Sequence, residues 1–271
     1  MPQSISNSVL TTGLLKSLNQ SQSQQKSALE KLSSGQKVNS AADNAAALAI
    51  INQLTSQING AGQAARNSSD GISFSQVAEG GLETVTDNLQ RIRELSLQAA
   101  NGTIGDEQRA ALQAEVGELQ QEVTRTLETT RFNGVDVFTA NTNITFQVGA
   151  NSGDIISLSL TDLTADFAPL ASIDISTQAG AQNALDTVDT ALQTVASVSG
   201  DLGATQSRFE STIANLDNNR INTAEARSRL RDTDFANQTS ELVKSNITQQ
   251  SGIAIQSQAN ANAQLVLRLL S

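Results

Sequence analysis

FANQTSELVKSNITQQSGIAIQSQANANAQLVLRLLS, residues 235–271, is the stretch around which the rest of the chain makes sense. Alternating steps of three and four pick out Phe235, Thr239, Leu242, Asn246, Gln249, Ile253, Gln256, Asn260, Ala263, Leu267 and Leu270. That is a heptad seam, but roughly half of it is amide or hydroxyl rather than hydrocarbon. From Ala236 to Ser271 the only charged side chains are Glu241, Lys244 and Arg268. A solvated surface helix carries far more charge on its outer face, and a self-sufficient core helix carries more leucine. The segment is suited to being surrounded by other helices, with order gained on assembly. Met1–Ala28 has the same character, with Lys16 and Lys26 as its only charges. Its continuation shows a seam of Leu15, Leu18, Gln22, Gln25, Leu29 and Leu32, which stops at Ser33-Ser34-Gly35. Two such arms at opposite ends of one chain suit each other and neighbouring copies.

The 271 residues suffice for one large or two modest domains. A formal charge of −10 argues against nucleic-acid or anionic-membrane partners. With no His and no Cys, the usual zinc, copper and haem ligands, the commonest general base and the thiol nucleophile are all missing. No run approaches the ~18 apolar residues of a spanning helix, so no membrane insertion is expected. The start lacks a basic-then-apolar signal peptide, so export would follow a route that cleaves none. No proline occurs between Pro2 and Pro169.

Between the arms, Lys37–Ala42 reads as a link, with Ser40 as N-cap and Asp43 three residues later. A helix is expected over about 41–100. Its apolar positions are Ala45, Leu48, Ile51, Thr55 and Ile58, then Ile72, Ala78, Leu82, Val85, Leu89, Ile92 and Ala99. Gly60, Gly62, Gly71, Gly80 and Gly81 either break it into shorter helices or mark close approach of a neighbour. A second helix at about 106–130 puts Leu112, Val116, Leu119, Val123 and Leu127 on one face. The period then becomes two: an Asn133-Gly134 turn, followed by Ile144, Phe146, Val148 and Ile156, Leu158, Leu160 alternating with polar residues, reads as a β-hairpin. Ala165–Thr177 reads as connecting loop. A third long helix over about 178–231 has a seam of Ala181, Leu185, Val188, Leu192, Val195, Ser199, Leu202, Gln206 and Phe209. The fold class is mainly α: a long antiparallel helical bundle or coiled-coil rod with a small central β-hairpin region. The expected division is an arm at 1–40, a rod domain at 41–234 with its β region at 131–177, and an arm at 235–271.

Signals for chemistry are weak. Gly60-Ala-Gly62 and Gly80-Gly81 lie inside helical patterns with no preceding strand, so they do not read as phosphate cradles. Glu118/Glu122 and Asp186/Asp189 sit at helical spacing on polar faces. No catalytic, cofactor or metal residues are expected. In the charged stretch 87–100, Arg91 and Arg93 pair with Glu94 and Asp87 on a solvated face, or the stretch binds a partner. Periodicity leaves open whether Leu95 stays exposed or is covered by a neighbouring copy.

Five motifs then match a known family. LEKLSSGQKVNSAADNAAALA (29–49), LQRIRELSLQAANGT (89–103), RFNGV (131–135), ARSRLRDTDF (226–235) and LVLRLL (265–270) resemble the bacterial flagellins, in order and at both ends. The resemblance implies a subunit that self-assembles into a helical homopolymer, the flagellar filament, after type III export, and that serves motility. The arms would form the inner coiled-coil domain, with subunit packing by Leu15, Leu18, Leu29, Leu32, Leu242, Asn246, Gln249, Ile253, Leu267 and Leu270. Export chaperone, cap and junction proteins are the implied partners. Gln90, Arg91, Leu95 and Glu115 match positions where family members engage a toll-like receptor of a host, a face that also serves subunit packing. Only 131–177 separates the helical halves, so this resembles a minimal flagellin without variable outer domains. A hook–filament junction protein and a non-exported coiled-coil adaptor are the alternatives.

Overall fold

In the computed structural model, residues 2–139 and 143–270 are described, apart from the side chains within 2–11, of 263 and within 265–270. Ala263, Leu267 and Leu270 of the expected seam therefore lie outside the described residues. The order is α1 (Pro2–Ser34), α2 (Ala41–Ala99), α3 (Asp106–Thr129), β1 (Arg131–Phe132), β2 (Val135–Asp136), β3 (Asn143–Gln147), β4 (Ile155–Ser159), α4 (Leu163–Asp166), a 3₁₀ turn (Ala168–Ser172), α5 (Gln178–Arg231) and α6 (Phe235–Leu270). The chain divides into two compact units, 1–56 with 222–271, and 57–221.

The long second helix forms as one element, but its first turn is set apart. Asn44 takes an extended backbone (φ −166°, ψ 100°), and its Oδ1 accepts the Ala47 N–H at 2.9 Å. Asn44, rather than Ser40, thus caps the helix proper. Asp43 caps the turn before it, accepting the N–H groups of Ser40 at 2.9 Å and Asn39 at 3.0 Å. Those backbone donors hold its carboxyl below the usual aspartate range.

In the unit 57–221 one face of α2, from Phe74 through Leu82, Val85, Leu89 and Ile92 to Ala99, supplies the core. It meets Val116, Val123 and Leu127 of α3, and Ala181, Val188, Val195 and Leu202 of α5. The glycines of α2 do not break it. A Cβ on Gly71 would lie 2.5 Å from the Phe209 ring, and one on Gly81 would lie 2.8 Å from the Phe138 ring, so both mark close approach.

The β region follows from its turns. Asn133 (φ +50°) and Gly134 (φ +82°) form the two-residue, positive-φ turn that an Asn-Gly pair favours, and Phe132 pairs with Val135 across it. β3 and β4 pair antiparallel, Ile144 opposite Leu158 and Phe146 opposite Ile156, with Ile156 and Leu158 buried. Ala165–Thr177 is not a plain loop. Asp162 Oδ1 accepts the N–H groups of Thr164 and Ala165 and starts α4, and the 3₁₀ turn follows. Buried Leu163, Phe167 and Leu170 make these turns part of the core.

Arg109 closes the far end of α2. Its side chain is buried; its Nε donates to the Ala99 carbonyl at 2.9 Å and its Nη2 to the Asn101 carbonyl at 3.2 Å. These are carbonyls at and just beyond a helix C-terminus, which have no partner within the helix. Arg109→Ala is expected to cost about 2 kcal/mol, because it strands buried acceptors. A urea midpoint that does not move would contradict this role.

Candidate assembly surface

α1 and α6 pack antiparallel along each other. Their contact line is half of the expected one. Leu18, Gln25, Leu32, Leu242, Gln249 and Gln256 are half-buried, as expected for the seam. The alternate positions fall one residue earlier: Leu14, Ser21 and Ala28 on α1, and Ser245, Gly252 and Ala259 on α6. The physical reason is size. Ser21 displaces Gln22, Ala28 displaces Leu29, Ser245 displaces Asn246 and Gly252 displaces Ile253, so at these positions the smaller residue faces the partner and the backbones close up. A Cβ on Gly252 would meet Leu18 Cδ1 at 2.8 Å. Ser21 Oγ donates to the Ser245 carbonyl at 2.8 Å in a buried contact.

This shift takes three residues of the expected seams off the contact within the chain and leaves their apolar side chains uncovered. Leu15 is 50% exposed, and Leu29 and Ile253 are similarly open. Asn246 is engaged within its own chain, its Oδ1 accepting from Gln25 Nε2. Phe235, Val243, Ile247 and Ile255 are also exposed, Ile247 by 58%. At 100° per residue, Val243 and Ile247 lie on the far side of α6 from the α1 contact, and Ile255 lies on a flank. A helix apolar on several sides expects several neighbours. The seam search missed Val243, Ile247 and Ile255 because it followed a single stripe.

The second candidate face lies on α2 and α3. Gln90, Arg91 and Glu115 are exposed. Arg91 Nη2 reaches Glu115 at 2.8 Å and its Nη1 reaches Glu94 at 3.1 Å, which raises the Arg91 pKa. Leu95 does not belong to this surface, because it is 2% exposed and packs in its own core. The exposed leucine there is Leu97, at 60%. Arg93 pairs with Asp189 of α5 at 2.6 Å rather than with Asp87.

The hydrogen bond from Arg93 holds the Asp189 carboxyl below the ordinary value of 3.8. Because the folded carboxyl ionises more readily than the unfolded one, the pair's contribution is complete above that value. It fades as pH falls through the lower folded value. Both side chains are about half exposed, so the effect is small and screened by salt. The melting temperature should drop on acidification below about 4, and Asp189→Asn should flatten that acid limb; an unchanged slope would remove the pair from the account.

Among the described residues, no group of three or more acidic, His or Cys side chains is placed to hold a metal ion. Among them, no helix is long and apolar enough to cross a membrane. Long helices that pair through small residues and leave large apolar ones uncovered define a structural subunit made to pack against further helices.

The comparisons with known proteins agree with that class. Residues 5–143 match the bacterial flagellin N-terminal helical region, and residues 185–270 match the bacterial flagellin C-terminal helical region. A flagellin of Halalkalibacterium halodurans is 46% identical over 247 residues, covering 90% of each chain. The flagellar filament 31.3 kDa core protein of Treponema maltophilum is 39% identical over 259 residues, covering 89% of this chain and 91% of that one. The crystal structure of Bacillus cereus flagellin superposes with a TM-score of 0.52 at 25% identity, over 56% of this chain and 88% of that one. The chain belongs to the bacterial flagellins, and resembles a minimal member of them. It is a structural subunit that self-assembles into the extracellular flagellar filament and serves motility, a reading favoured over junction protein or adaptor.

Proposed function

We propose that α1 and α6 are the arms through which subunits polymerise, and that their uncovered apolar side chains are the contacts. The observation that carries this reading is the exposure of Leu15, Leu29, Phe235, Val243, Ile247, Ile253 and Ile255 on two helices with few charges. Buried between subunits, each such side chain contributes ~1.5–3 kcal/mol. The in-chain seam of Leu18, Leu32, Leu242 and Gln249 holds the pair together; the outer residues hold neighbours. With no His and no Cys, a catalytic role would have to be built from carboxylates, Lys, Arg, Ser and Thr, and this reading needs none.

The finer parts follow from the family. The chain leaves the cell by type III export, with marginal arms that suit an export-competent, loosely ordered state. Export chaperone, cap and junction proteins are its further partners. A host toll-like receptor would meet Gln90, Arg91 and Glu115; Leu95 is covered by the chain itself.

The test is the double variant Val243→Gln with Ile247→Gln, seeded with short filament fragments and followed by electron microscopy. Elongation should fall by at least about tenfold, from the loss of two apolar contacts, while the melting temperature of the soluble chain stays put. Filaments growing at the parent rate would refute the reading.

A further inference from the structure

Two linkers separate the arm helices from the rest of the chain. One lies between Ser34 and Ala41, the other between Arg231 and Phe235. Each interrupts a helical hydrogen-bond ladder, and the groups freed in one are satisfied by the other. The Lys37 N–H donates to the Arg231 carbonyl at 2.6 Å, and the Thr233 N–H to the Gly35 carbonyl at 3.1 Å. Gln36 and Asp232 face each other as an antiparallel bridge. Gly35 makes the sharp exit from α1 at φ +68°, a conformation glycine adopts at little cost. The Asp232 side chain is tied back by Ser228 Oγ at 2.6 Å. Asp234 starts α6, its Oδ1 accepting the Ala236 N–H at 2.9 Å.

The seam beyond these linkers fixes register poorly. Its inner positions are Leu18, Ser21, Gln25, Ala28 and Leu32 against Leu242, Ser245, Gln249, Gly252 and Gln256. A slide of one helical turn, ~5.4 Å, exchanges one small or amide residue for another along most of its length. Coiled coils gain register from large apolar knobs or a lone polar pair, and this seam has few of either. Leu18 against Gly252 is a close steric fit.

We infer that the paired linkers are a clasp that sets the register of α1 against α6. Neither helix slides along the other without breaking both backbone hydrogen bonds of the bridge. The clasp supplies at the base of the pair the specificity that its seam lacks. This rests on reading α1 and α6 as the assembly arms, because register decides which outer side chains stand side by side for the next subunit. The readout is nonetheless intramolecular, so it stands or falls apart from filament growth.

The chain has no Cys, so engineered cysteine pairs are uniquely addressable. The pattern of the two bonds makes Gln36 and Asp232 a non-hydrogen-bonded pair, with Cα atoms ~4.5 Å apart, within disulfide reach. The pair Gln36→Cys with Asp232→Cys should close on mild oxidation in the full-length chain, in solution and in filaments. Failure to close in both would overturn the clasp. Register is read with Ser21→Cys/Ser245→Cys, which reports the observed alignment, and Ser21→Cys/Leu242→Cys, which reports a slip of about one turn. Adding Lys37→Pro or Thr233→Pro removes one bridging donor each. The slipped yield relative to the in-register yield should rise by about threefold, the weight of one backbone hydrogen bond. Lys37→Ala, which keeps the N–H, should leave that ratio unchanged. A ratio indifferent to both prolines would show that the seam sets its own register. Loss of filament growth with the ratio shifted as expected would support the clasp. Unimpaired growth with the same shift would support the clasp but count against the arm reading.

Discussion

Removal of residues 1–34 together with 235–271 is expected to abolish seeded filament growth while the unit 57–221 still melts cooperatively. The deletion takes away α1 and α6, and with them Leu15, Leu29, Val243, Ile247 and Ile253. Five such side chains at the lower figure of ~1.5 kcal/mol each amount to roughly five orders of magnitude in an association constant. No seed concentration in ordinary use recovers that loss. The remaining unit keeps its own core, because the core residues from Phe74 to Leu202 come from α2, α3, the β region and α5. The exposed face with Gln90, Arg91 and Glu115 also survives the deletion. Growth of filaments from the truncated chain would therefore move the assembly contacts onto the unit 57–221. A truncated chain that no longer melts cooperatively would show that the arms also support folding.

The limits of the sequence reading have a common physical origin. Periodicity placed the long helices closely, including the start of α5 at Gln178 and the stripe of α3 through Val116, Val123 and Leu127. Asn133-Gly134 foretold the tight turn, since few other dipeptides tolerate two positive φ values. The phase within the seams was another matter. On α5 the buried positions include Ala184, Ala191 and Thr205, each one residue before Leu185, Leu192 and Gln206. α1 and α6 show the same displacement. In a three-four repeat both phases place every second position alike, so only the residues between them decide. A reader who favours bulk chooses leucine, whereas close-packed backbones choose alanine, serine and glycine. The glycines of α2 belong to the same logic, because Gly71 and Gly81 are gaps cut for Phe209 and Phe138. Leu95 was undecidable from spacing because α2 buries a broad face, with Ile92, Leu95, Ser96 and Ala99 all inside. The outer apolar residues of α6 were invisible to any seam, since a helix with several partners has no single stripe.

Phe209→Ala should cost about 3–5 kcal/mol and lower the melting temperature of the chain by about 10 °C. Its ring is fully buried and stands edge-on to Phe146 at 5.3 Å, which in turn meets Phe74 at 6.3 Å. Phe74 continues the series to Phe132 at 5.6 Å. Four of the seven phenylalanines thus join α2, α5, β1 and β3. Gly71 is the counterpart of the ring, since an added Cβ would fall 2.5, 2.8 and 3.0 Å from three of its atoms. Gly71→Ala alone should therefore destabilise by about 1–3 kcal/mol, although alanine is the better helix former by ~1 kcal/mol. In a Phe209→Leu background the clashing ring atoms are gone. There the same substitution should become neutral or stabilising, so the two changes are strongly non-additive. Additive costs in that double-mutant cycle would mean that the ring and the glycine do not share a site. A reversal of sign would identify the ring–glycine fit as what holds α2 against α5 at this level of the bundle.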